Sequence, residues 1–99
     1  MKHNQDHLNV LRKIKSKPNI TQREMAKDLN FSLGKLNYCL RALKLKGLVK
    51  IENFKKNPNK LNYIYVLTPR GITEKTKLTL NFMKKKMQEY DELKKEIKE

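Results

Sequence analysis

Apolar residues recur at helical spacing over residues 4 to 16, where Leu8, Leu11 and Ile14 form one stripe with Val10 beside it. Lys17-Pro18-Asn19 breaks that pattern, and Ile20 is expected to pair briefly as a short strand. Thr21 then stands three residues before Glu24, the spacing of a capping box, with Ile20 and Met25 placed as a hydrophobic staple. Ala26 and Leu29 supply the inward face of a short second helix. Asn30 tolerates the left-handed conformation that ends one. Ser32 is a second N-cap, stapled by Phe31 and Leu36, and Gly47 closes the third helix. At about 100° per residue, Leu36, Cys39, Leu40 and Leu43 gather on one face of it. Gly34, Asn37, Tyr38 and Arg41 gather on the other. Helix, three-residue turn, helix is the helix-turn-helix layout.

After Gly47 the period changes. Leu48 to Glu52 is a short strand-like run, and Leu61 to Leu67 is a stronger one, rich in β-branched and aromatic residues. Asn53 to Lys60 lies between them, with Asn57-Pro58-Asn59 marking the turn. The prediction is a β-hairpin whose tip carries Lys55, Lys56 and Lys60, placed to reach phosphates or a minor groove. Thr68-Pro69 opens a last helix as N-cap and first helical residue. Some thirty residues of helix would run roughly 45 Å, too long for so small a domain to cover. Leu80, Met83, Met87, Tyr90 and Ile97 follow the four-and-three spacing of a coiled-coil seam, interrupted at Thr76 and Lys94. Leu78 and Phe82 lie off the seam and are expected to pack back on the domain.

The expected fold is therefore mainly α with a small β-hairpin. Residues 1–68 form a winged helix-turn-helix domain, and residues 69–99 form a helix that dimerises, antiparallel or as a coiled coil.

Charge gives this architecture a partner. The chain carries a net charge of +14. Residues 1 to 71 hold sixteen Lys/Arg against four acids, an excess of +12, whereas residues 72 to 99 hold eight against six, an excess of +2. A basic compact part is the electrostatic footprint of a nucleic-acid binder. No segment is apolar enough to span or anchor in a membrane, and no apolar run follows Lys2 as a signal peptide would require. Cys39, the single cysteine, excludes an internal disulfide, fits a reducing cytoplasm and belongs to the core face of its helix. His3 and His7 stand at a helical metal-ligand spacing but lack a third ligand nearby, so no metal or cofactor is expected.

Asn37 and Arg41 are side chains able to make bidentate bonds to adenine and guanine. Gly34 removes bulk at the helix start, where recognition helices meet base edges. The expected DNA-binding set is Thr21, Gln22, Gly34, Asn37, Tyr38, Arg41 and Lys44, with Lys55, Lys56, Asn57 and Lys60 in the wing. The rival reading is a winged-helix module for RNA or an acidic protein partner. RNA recognition usually wants exposed stacking aromatics, and Tyr38 is the clear candidate. Enzymatic function is not expected: no Ser/His/Asp or Cys/His set, carboxylate pair or phosphate-cradling glycine loop is present.

The chain resembles the MarR-type winged-helix regulators. The carriers are Thr21 to Ala26, the run Ser32 to Leu43, the exit Lys46-Gly47-Leu48-Val49-Lys50, and Leu67-Thr68-Pro69-Arg70-Gly71. It is most similar to the small MarR-like regulators associated with exopolysaccharide gene clusters, which share the second run almost as it stands. The resemblance spans roughly residues 5 to 97. It implies a dimeric, sequence-specific regulator of transcription, with exopolysaccharide genes as the expected target, groove contacts at Ser32, Gly34, Lys35, Asn37, Tyr38 and Arg41, and wing contacts near Lys55 to Lys60. Two departures stand out. Larger family members build the dimer domain from both termini beside a small-molecule pocket, whereas here the N-terminus is short, which weakens the case for an effector. Lysines also replace the larger family's wing arginine, and lysine suits phosphate better than a narrow minor groove.

Overall fold

Helix α1 (Lys2–Ser16) buries Leu8, Val10, Leu11 and Ile14, as its apolar stripe requires. The computed structural model describes the backbone of residues 2–57 and 60–98, and the side chains of residues 5–52 and 63–98. Helices α2 (Gln22–Leu29) and α3 (Leu33–Leu45) follow, then strands β1 (Val49–Asn57) and β2 (Lys60–Leu67), then α4 (Pro69–Lys98). This is a winged helix-turn-helix with a long C-terminal helix.

Each boundary has a local cause. The Thr21 hydroxyl accepts from the Glu24 amide at 3.2 Å and donates to the Glu24 carboxylate at 3.0 Å, which starts α2. Asn30 takes the left-handed conformation, φ 56°, while the Asn30 and Phe31 amides donate to the Lys27 and Ala26 carbonyls. That is a Schellman closure. Ser32 starts α3 by accepting from the Lys35 amide at 3.1 Å. Gly47, φ 73°, ends it the same way, with the Gly47 and Leu48 amides on the Lys44 and Leu43 carbonyls.

The core lies where α1, α2 and α3 meet the root of the hairpin. Leu11, Met25, Leu36, Leu40 and Leu43 are its largest sealed side chains. Burying each of them stabilises the fold by about 1.5–3 kcal/mol. Both expected staples are in place as core members: Ile20 and Met25 are buried, and Phe31 packs on the cluster that contains Leu36.

Ile20 departs from expectation. It is buried in the core outside any strand, and the sheet among the described residues has two strands. One residue with no partner run beside it gains more from the core than from a ladder. The hairpin is also longer than its hydrophobic pattern suggests. Pairing runs antiparallel from Val49↔Leu67 to Lys55↔Leu61, and an irregularity precedes Asn57↔Lys60. Ladder hydrogen bonds join backbones, so a polar stretch can extend a strand without any alternation to announce it.

α4 meets the domain through its first turns. The Thr68 hydroxyl donates to the Gly47 carbonyl at 2.6 Å and accepts from the Gly71 amide at 3.0 Å. The Thr68 amide donates to the Leu48 carbonyl at 3.0 Å. A Cβ on Gly71 would overlap that same Leu48 carbonyl oxygen, so only glycine allows the approach. Leu78 packs on the core, and Phe82 is half-buried. From Met83 to Lys98 every residue is exposed.

Alanine should act in opposite directions at two helical glycines. A methyl at Gly34 would meet nothing within 4 Å, so Gly34→Ala should stabilise the fold by up to about 1 kcal/mol. Gly71→Ala should lose that gain to backbone overlap and destabilise by about 1–3 kcal/mol. Urea unfolding of both variants measures the pair, and a Gly71→Ala protein as stable as wild type would contradict the close approach to Leu48.

Candidate nucleic-acid interface

The outward face of α3 is defined by what its other face must do. Leu36, Cys39, Leu40 and Leu43 are all buried, which turns the opposite side of the helix to solvent. Gly34, Asn37, Tyr38, Arg41 and Lys44 are exposed there, so the structure brings together the expected α3 residues at spacings of three and four. Tyr38 is 66% exposed, its ring uncovered by the chain's own core.

Four expected contact residues already have partners inside the chain. Gln22 is half-buried and donates from Nε2 to the Tyr65 hydroxyl at 3.4 Å, which ties α2 to the hairpin root. The Ser32 oxygen is used by the helix cap. Lys35 is turned back on α1: its ammonium stands 3.4 Å from the Asp6 carboxylate and 4.3 Å from the centre of the Phe31 ring. Thr21 is exposed at the start of α2 beside Arg23, although its hydroxyl is engaged by Glu24. The side chains of Lys55, Lys56, Asn57 and Lys60 lie outside the described residues. The register places their backbones at the tip of the hairpin.

The acids of the compact part are consumed internally. Asp28 takes Lys17 at 2.7 Å and Lys13 at 3.5 Å, Asp6 takes Lys35, and Glu52 takes Lys50 at 3.4 Å. Glu24 is held in the α2 cap. The hydrogen bond from Lys17 holds the Asp28 carboxyl below its ordinary range and raises the Lys17 ammonium in turn. With the four acids so engaged, the basic excess of residues 1 to 71 is left to the surface. Cys39 faces inward, and burial pushes its thiol above the usual range, with the Asp6 carboxylate adding to that shift. It is a packing residue.

His7 is buried and borders a cavity of about 200 Å³ shared with Lys46, Arg70 and Glu74. The side chain of His3 lies outside the described residues. Among the described residues, no group of three His, Cys, Asp or Glu is assembled that could hold a metal.

The expected seam on α4 lies uncovered. Leu80, Met83, Met87, Tyr90 and Ile97 are between 52% and 85% exposed. Leu78 and Phe82 turn the other way and line, with Gln5 and Leu8, a cavity of about 360 Å³ against α1. Sequence reasoning missed Ile72 and Leu93, which are exposed on the same helix. It also missed Leu33 and Leu45 on α3. The signal was available for Leu45, four residues after Arg41, but not for Leu33, which stands three before Leu36 and seven before Leu40, both buried.

Residues 7–50 match the model of winged helix-turn-helix DNA-binding domains. No curated protein matches the chain. Among solved structures, it is similar to a MarR family transcription regulator at 19% identity and a TM-score of 0.73, over 86% of this chain and 55% of that one. The PcaV transcriptional regulator of Streptomyces coelicolor, with its natural ligand, is similar at 15% identity and a TM-score of 0.71, over 80% and 55%. MepR of S. aureus in complex with DNA is similar at 20% identity and a TM-score of 0.70, over 84% and 59%. The chain thus spans little more than half the length of these structures. At such low identity the likeness concerns architecture: the chain has the winged helix-turn-helix fold of the MarR-family regulator structures.

Proposed function

We propose that this chain is a sequence-specific double-stranded DNA-binding regulator of transcription that acts as a cytoplasmic homodimer. The observation that carries the reading is the outward face of α3, where Asn37, Tyr38 and Arg41 stand exposed beside a glycine with open space above it. Asn and Arg are the side chains with bidentate partners on adenine and guanine in the major groove. The basic excess supplies attraction for phosphates. MepR, of the same fold, is known in complex with DNA. Residues 1–68 would bind the duplex, with Lys55, Lys56, Asn57 and Lys60 on backbone or minor groove. A finer link to exopolysaccharide genes rests on the Ser32 to Leu43 run alone.

Duplex DNA is favoured over single-stranded RNA because Tyr38 is the one aromatic side chain on α3, too few for a stacking platform. Among the described residues, no helix is long and apolar enough to cross a membrane.

Asn37→Ala or Arg41→Ala should each cost about 1–3 kcal/mol on a duplex selected from a random pool, where the contact is bidentate. Scrambled duplex should lose little for Asn37, which is uncharged, and somewhat more for Arg41. Titrations at one fixed salt check this. Equal weakening of both duplexes by Asn37→Ala would mean that Asn37 reads no base.

The second half of the reading is the dimer. An apolar row at heptad spacing on a helix of 30 residues, exposed along its C-terminal half, is suited to a second copy. Residues 69–99 would then serve dimerisation, with Gly71 and Leu78 fixing the near end to the domain. Two copies related by a two-fold axis would place their α3 helices in half-sites about one DNA turn apart, roughly 34–36 Å. Truncation before Leu80 should convert a dimer into a folded monomer in sedimentation. A full chain that sediments as a monomer at micromolar concentration would remove the dimer.

A further inference from the structure

The leading turn of α3 presents an uncharged, apolar tip. Leu33 is the first residue of the helix and is 47% exposed. Gly34 beside it has no side chain and nothing within 4 Å of where one would begin. The Ser32 hydroxyl is occupied by the Lys35 amide, and the Lys35 ammonium is drawn back to Asp6 and over Phe31. Isolated exposed leucines are ordinary on protein surfaces. This one differs in its setting: the charge two residues away is withdrawn, the adjacent bulk is absent, and Asn37 stands one turn further along the same side. Helical side chains also lean toward the N-terminus, so Leu33 projects past the end of the helix that meets base edges.

We propose that Leu33 is a specificity-determining residue that reads the 5-methyl group of thymine in the major groove, with Gly34 providing the clearance for the approach. The proposal rests on α3 being the recognition helix. Each base shows a distinct pattern in that groove, and thymine shows one acceptor and a methyl group. The methyl offers no hydrogen bond, so only an apolar side chain recognises it. Asn37 and Arg41 supply the polar half of a reading code, and Leu33 supplies the apolar half. Leu45, though 83% exposed, stands at the opposite end of α3 and serves as the control.

The experiment uses the full chain and the duplex that wild type selects from a random pool, with each thymine replaced in turn by deoxyuridine. Every replacement removes one methyl and leaves base pairing unchanged. Wild type should bind about three- to fivefold more weakly at one or more thymines of each half-site, the effect of one lost apolar group. Leu33→Ala should weaken the thymine duplex by a similar factor and no longer distinguish it from the deoxyuridine duplex. Leu33→Met and Leu45→Ala should both keep the distinction. Wild-type indifference at every thymine, or a Leu33→Ala protein that still discriminates, overturns the proposal while leaving base reading by Asn37 and Arg41 standing. A pool that yields no preferred sequence overturns the DNA-reading function itself, and this contact with it.

Discussion

The junction of Gly47, Leu48, Thr68 and Gly71 holds the working parts in register. One hydroxyl, that of Thr68, joins the carbonyl after α3 to the first turn of α4. One carbonyl, that of Leu48, accepts from the Thr68 amide and lies against the bare Cα of Gly71. The end of α3, both strands of the hairpin and the start of the long helix therefore leave from a single point. Each of these hydrogen bonds adds only about 0.5–1.5 kcal/mol. Their importance is geometric, because a shift at this point would re-aim α3 relative to any partner bound through α4.

The two faces of α3 depend on each other. Sealing Leu36, Leu40 and Leu43 in the core fixes the rotation of the helix about its own axis, and rotation decides which side chains can meet a groove. A recognition helix tolerates little freedom there, since a turn of 100° would replace Asn37 with a neighbour. Charge is arranged to the same end. The acids of the domain are paired with lysines or capping a helix, and these exposed pairs add little stability. Their larger effect is to keep negative charge from competing on a surface that would meet phosphates.

Much of this was legible in the sequence. Thr21, Asn30, Ser32, Gly47 and Thr68 mark helix ends by their own chemistry, and each stands where that chemistry places it. The buried stripes of α1 and α3 follow from spacing alone. What escaped was information that lies between elements. Gly71 shows no structural role in the sequence until Leu48 is found against it. Lys35 reads as a groove contact, and only the fold brings Asp6 of α1 to its ammonium. Gln22 reads as a DNA contact, and only the fold brings the Tyr65 hydroxyl to it from the hairpin. The length of the hairpin was hidden because its outer half pairs through backbone atoms. Leu45 escaped for a simpler reason, since its angle on α3 is that of Tyr38 and Arg41, whereas Leu33 shares the angle of the buried Leu40 and is exposed at the first position of the helix.

The most direct test of the account follows backbone amide shifts by nuclear magnetic resonance as duplex of the preferred sequence is titrated into the protein. The outward face of α3 should respond most, with the largest changes at Gly34, Asn37, Tyr38 and Arg41, while amides of α4 beyond Leu80 stay still. Changes concentrated on α4, with α3 silent, would contradict the assignment of α3 as the helix that meets DNA.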